Sequence, residues 1–164
     1  MQPLIKNGLL VENDPWAVFE AGEDGAFPEY ALLPLSFWVS QGDEIRDSVF
    51  KLGAVLRAGD EIDALIPYLP QLKVIAFEFE KFADGRAFSF ARQLRSEHAF
   101  TGEIRAFGDI LPDQVNYLQR SGFDAFVLRS EQEAETALAL GNTFSVQYQS
   151  DAVQSQPLFR RRVS

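Results

Sequence analysis

The chain has 164 residues, 46% of them hydrophobic and 24% charged, with a net charge of -9, which is the composition of a folding globular protein rather than a disordered one. It contains no cysteine and one histidine, His98, so disulfides, thiolate nucleophiles, Cys-ligated iron–sulfur or zinc centres and multi-His metal sites within one chain are excluded, and no metal or cofactor site is evident. No apolar run approaches the roughly 20 residues of a membrane span, and the stretch Met1 to Asn7 lacks the apolar core of a secretory signal, so a soluble, cytoplasmic protein without a membrane partner is expected.

The acidity is uneven. Residues 1–80 carry fourteen acidic and five basic side chains, whereas residues 81–164 carry ten of each. Such a surface does not suit nucleic acid, which needs basic patches to release counterions. The one basic run, Arg160-Arg161-Arg162, reads as part of a solvated, flexible tail over 150–164. The length suits one domain over 1–164, since single cores stop growing at about 250 residues. Fifteen phenylalanines predict an aromatic-rich core, with part of the surplus open to an exposed docking surface.

In chain order, residues 1–30 read as a hairpin followed by a loop. Asn7-Gly8 supplies two positive φ angles for a tight turn between Leu4-Ile5 and Leu9-Leu10-Val11, and Glu20 to Glu29 is rich in Gly and carboxylates, as an exposed connector is. Pro34 ends any strand starting near Leu32 and leaves Leu35 to Ser40 helical. From residue 53 to 148, β-type runs alternate with segments of helical period: Gly53–Leu56, Val74–Phe79, Glu103–Phe107 and Ala125–Leu128. Between them are predicted helices over Asp60–Tyr68, with Asp60 as N-cap, and Arg86–Glu97, with Ala87, Phe90, Ala91, Leu94 and His98 on one face. Pro112 opens a further helix that Gly122 ends, with Val115 and Leu118 inward. Ser130-Glu131-Gln132-Glu133 is a capping box for a last helix carrying Ala134, Ala137 and Leu138, closed by Gly141 and followed by a β-run over Phe144–Tyr148. Consecutive βα units give the α/β class with a mainly parallel sheet, either barrel-like or open and doubly wound. The exposed sheet edges then need the hairpin, a C-terminal strand or a second chain to cover them, which predicts a homo-oligomer.

Ligands of parallel α/β sheets bind beyond the carboxyl ends of the strands. That rule selects Asp84, Gly85 and Arg86 after the second run, Arg105, Gly108 and Asp109 at the third, Asp113 and Gln114 at the next helix start, and Arg129 after the fourth. Arg86 and Arg105 would grip a small anion, with Asp84, Asp109 and Asp113 orienting them, ligating a hard cation such as magnesium, or serving as acid or base. The same carboxylates also suit turns and helix starts, and Gly85 and Gly108 match neither the dinucleotide fingerprint nor the Walker pattern, so catalytic residues stay unassigned. His98 is expected at the inward edge of its helix with a packing or dipole duty. Phe37 and Trp38 would anchor a protein interface if their helix leaves them exposed.

The segments Phe82-Ala83-Asp84-Gly85-Arg86-Ala87-Phe88-Ser89, Gly102 to Asp109, Asp113-Gln114, Arg120 to Phe126 and Tyr148-Gln149 to Arg162 resemble the bacterial domain-of-unknown-function 934 family, over most of residues 53–162. Glu80 and Ala87 stand where members often have Pro and Gly. The resemblance implies a role in sulfate assimilation beside the haem-type sulfite reductase. A chain with no cysteine and one histidine brings no electron-carrying centre of its own, so the expectation is an accessory protein that docks on, delivers to or assembles the reductase, its acidic half meeting a basic partner. The alternatives are an enzyme acting on a small oxyanion or phosphorylated metabolite at the Asp84/Arg86/Arg105/Asp109 rim, and a structural homo-oligomer.

Overall fold

A computed structural model of the chain describes residues 2–19, 28–45, 51–80 and 85–144. Its strands are β1 (Leu4–Lys6), β2 (Leu9–Val11), β3 (Ala17–Val18), β4 (Tyr30–Pro34), β5 (Lys51–Leu56), β6 (Leu72–Phe79), β7 (Glu103–Gly108) and β8 (Ala125–Val127). The helices are α1 (Leu35–Ile45), α2 (Gly85–Ser96), α3 (Val115–Ser121) and α4 (Glu131–Phe144), with 3-10 segments at Ile62–Gln71 and Pro112–Gln114. All eight strands form one sheet in the order β2-β1-β8-β7-β6-β5-β4-β3. Strands β3 to β8 run parallel, while β1 lies antiparallel to both β8 and β2.

Between β4 and β8 the order in space is the order in sequence, and each crossover is right-handed by rule, so every helix falls on one face. This decides for the barrel-like alternative over the doubly wound one. Along each strand alternate side chains divide accordingly. Leu33, Ala54, Leu56, Ile75, Phe77, Ile104, Ala106 and Phe126 join the helix-side core, while Leu32, Val55, Val74 and Ala76 form a second, smaller cluster on the helix-free face.

The sheet curls into a half-barrel, and chain length shows why. Val11 ends β2 at one edge of the sheet and Ala17 opens β3 at the other. A flat sheet would separate those edges by about 34 Å, seven spacings of about 4.8 Å, whereas six residue steps reach only about 21 Å. Residues 12–16 therefore act as a strap that runs across the helix-free face, and Trp16 packs on the small cluster there.

The hairpin forms as the dipeptide predicts, with Asn7 at φ 53° and Gly8 at 79°, and β1 covers the free edge of β8. Pro34 is the last residue of β4 and α1 begins directly after it. Gly122 ends α3, and Val115 and Leu118 are buried.

Four local expectations are corrected. The predicted helix at 60–68 is a 3-10 segment, Ile62–Gln71, because Pro67 and Pro70 each remove a backbone donor; Asp60 lies outside it and accepts the Arg57 N–H at 2.8 Å instead of capping. His98 is exposed beyond the end of α2 rather than on its inward edge. Gly141 does not close the last helix, since α4 continues to Phe144, so the β-run predicted from Phe144 starts inside a helix and its remainder, 145–148, lies outside the described residues. Trp38 does not face a partner: it is fully buried and donates its Nε1–H to the Gly53 carbonyl at 3.2 Å, while Phe37 packs partly buried, edge to face with Phe19. The connector 20–27 and the tail from 145 also fall outside the described residues.

Candidate functional site

The carboxyl ends of the strands present several of the predicted residues, and the arginines among them, Arg86 and Arg129, are already paired. Gly85 opens α2. Arg86 pairs with Glu61 and lies over the Phe90 ring, 5.4 Å from its centroid. Beside it the Arg57 Nε–H donates to Glu78 Oε2 at 2.6 Å. The crevice these residues line, with Leu56, Asp60, Phe77 and Ala87, measures about 10 Å³, space for about one water molecule.

Gly108 ends β7 at φ 94°, and a side chain there would put Cβ 2.5 Å from the Phe79 carbonyl oxygen. The next residue, Asp109, donates its backbone N–H to that carbonyl at 2.6 Å, which ties the ends of β6 and β7 together. The Asp109 carboxylate lies close enough to Arg129 to raise its pKa further, after the larger effect of the Glu133 carboxylate hydrogen-bonded to it. Asp113 is exposed, and Gln114 accepts the Leu111 N–H through Oε1 at 2.8 Å. Asp84 lies outside the described residues.

Arg105 stands apart from this rim. It is the third residue of β7, so strand alternation with Ile104 and Ala106 turns it to the helix-free face. There it is buried, at 4% exposure, and donates Nε–H to Glu103 Oε2 at 2.6 Å and both Nη groups to Asp14 of the strap, at 2.8 and 3.1 Å. Lys6 in β1 completes the chain of charges by bridging Glu103 at 3.1 Å. Burial pulls the Arg105 pKa down, but Asp14 and Glu103 outweigh it and the pKa is raised. Arg86 and Arg105 thus line different depressions, one at the rim and one on the inner face, and the structure does not join them into one anion grip.

The inner depression is the larger. A cleft of about 220 Å³ is bounded by Gln2, Leu4, Asp14, Trp16, Val18, Leu32, Arg105, Phe107 and Val127. Its walls come from β1, β3, β4, β7, β8 and the strap, so it exists only because the sheet curls. Of these residues the sequence reading selected Arg105 alone as a ligand contact. Glu103, two residues before Arg105 and therefore on the same face of the strand, was the available signal for a charge pair there. Asp14, 91 residues away, offers none.

At the opposite end of the sheet, Arg95 ties loops rather than offering a site. It donates to the carbonyls of Gly122, Phe100 and Gly102 at 3.0, 2.9 and 2.7 Å and pairs with Asp124 at 3.4 Å. Burial lowers the Arg95 pKa and raises that of Asp124. Among the described residues no helix is long and apolar enough to cross a membrane.

Fold and site together define an α/β half-barrel whose inner face is bridged by a strap. The chain belongs to a family of bacterial proteins of unknown function, DUF934, which matches it over residues 53–159. That match spans β5 to α4, and the hairpin, the strap and β3 lie before it. No curated protein matches the chain.

Proposed function

We propose that this protein is an accessory protein of sulfate assimilation that docks on sulfite reductase. The observation that carries the docking half of this reading is the edge strand β2. It ends the sheet, and Leu9 and Leu10 are 71% and 47% exposed on it. A strand edge with exposed apolar side chains is a template for pairing with another polypeptide. The acidic excess of residues 1–80 surrounds it in sequence and suits a basic partner surface, where complementary charge speeds encounter. The reductase itself is named by the family resemblance.

The test is affinity purification of the tagged protein from cells growing on sulfate. Wild type retains the reductase, and the Leu9→Asp/Leu10→Asp variant loses it while keeping its unfolding midpoint. A strain lacking the protein grows on reduced sulfur and not on sulfate; normal growth on sulfate would overturn the proposal.

The same edge supports a second reading, a homodimer in which two β2 strands pair antiparallel about a twofold axis. Light scattering separates the two readings, since only the dimer doubles the mass of the purified chain and reverts to monomer in the double variant. An oxyanion enzyme at the rim has less support, because Arg86 and Arg105 meet carboxylates in separate places.

A further inference from the structure

The geometry points to a binding site on the inner face for a small, uncharged, planar molecule, with its ring against Trp16 and Phe107 and a carbonyl oxygen at Arg105. This site is distinct from the β2 edge and does not depend on the docking proposal.

Three observations carry it. The cleft, about 220 Å³, exceeds the roughly 150 Å³ cavity that suffices to hold benzene in an engineered protein. Its lining fits the usual make-up of a small-molecule site, apolar walls with a few polar groups gathered at one end: Leu4, Val18, Leu32 and Val127 with the two aromatic rings, then Arg105 and Gln2. Aromatic walls favour a flat ligand, which gains from offset or edge contacts with them. The third observation is charge. Lys6, Glu103, Arg105 and Asp14 form an alternating series of two cations and two anions. It is neutral as it stands, so a charged ligand would bring an uncompensated charge against the Arg105 guanidinium and Glu103, which are themselves buried. A neutral acceptor carries no such penalty. The guanidinium has five N–H donors, and three of them are directed at Glu103 and Asp14, which leaves donors for a carbonyl oxygen.

The strap is the wall that makes the site. Asp14 and Trp16 both belong to it, and the bidentate contact of Asp14 with Arg105 holds Trp16 over the cleft. Ligand affinity therefore depends on this latch, although the carboxylate of Asp14 touches no ligand atom in the arrangement described.

The test uses benzamide, benzoate and benzylamine, three probes that share one ring and differ in the charge of the polar end. Binding is read from Trp16 fluorescence with tryptophan-selective excitation. The second tryptophan, Trp38, is fully buried away from the cleft and serves as a constant background, and the Trp16→Phe variant confirms the source. Benzamide is expected to quench saturably with a millimolar dissociation constant, as suits a ligand of its size, and to bind at least about tenfold more tightly than either charged analogue. Val18→Tyr, at a partly exposed edge position, fills the cleft and abolishes quenching by benzamide while the unfolding midpoint is kept. Benzoate binding as tightly as benzamide overturns the proposal, as does the absence of saturable quenching by all three probes, or unchanged benzamide binding in Val18→Tyr.

Discussion

Replacing Asp14 by Asn tests whether the strap is held by its ion pair with Arg105. The amide keeps one acceptor oxygen but turns an NH2 group toward a guanidinium N–H, so one of two charge-assisted hydrogen bonds is lost and the other weakened. Such bonds contribute about 1.5–3 kcal/mol each. The loss is tempered because Asp14 retains 17% side-chain exposure and Glu103 still partners Arg105, which lets water repay part of it. The expected cost is about 3 kcal/mol, below the upper end for a buried charge stripped of its partner. With a urea slope of about 2 kcal/mol/M this lowers the unfolding midpoint by about 1.5 M, and it lowers Tm by roughly 6–12 °C. Trp16 emission shifts to the red in the same variant as the strap lifts. The double variant Asp14→Leu/Arg105→Met recovers much of the stability, because apolar replacements of a buried pair are often neutral. A midpoint within about 0.3 M of wild type, with Trp16 emission unchanged, would refute the reasoning: the strap would then be held by the packing of Trp16 alone.

Three further outcomes follow, two from the opposite end of the sheet and one from the rim. Arg95→Leu removes the donor to three carbonyls and the ion-pair partner of Asp124, which keeps the Ile104 N–H, and is expected to cost about 3–5 kcal/mol by urea denaturation; Asp124→Asn in the same chain restores part of it. Because burial raises the folded pKa of Asp124 above 3.8, the folded state holds that proton more tightly than the unfolded one. The stability linked to it is complete below 3.8 and is lost as pH rises through the raised value. The stability of wild type relative to Asp124→Asn therefore falls as pH rises from 3.8 through the raised folded-state value, and a difference that is flat or grows with pH contradicts this. Gly108→Ala faces a left-handed backbone and the Phe79 carbonyl at 2.5 Å; calorimetry should show a loss of at least about 2 kcal/mol, and a neutral effect would mean that the β6–β7 junction yields.

Local chemistry was readable because it acts over a few residues. The Asn7-Gly8 turn, the strand end at Pro34, the four β-runs and the stop at Gly122 all depend on neighbours in the chain, and each is where the residues put it. The 3-10 segment over 62–71 went unread because apolar spacing outweighed the two prolines in it, although their missing donors are a local signal too. Gly141 failed as a stop for the opposite reason: a glycine permits a helix end without requiring one, and α4 continues through it to Phe144.

What the sequence by itself determined is the α/β class, the order of the main βα units and the acidic net charge. The tertiary structure alone decided which way each side chain faces and what meets across the sheet. Helices on one face allow curling, and a five-residue strap between the two outermost strands requires it. The curl carries Asp14 to Arg105 and assembles a cleft from six separate segments. Trp38 went inward and Arg105 to the inner face for the same reason: facing is set by register and packing among elements far apart in the chain, and residue type carries no record of either.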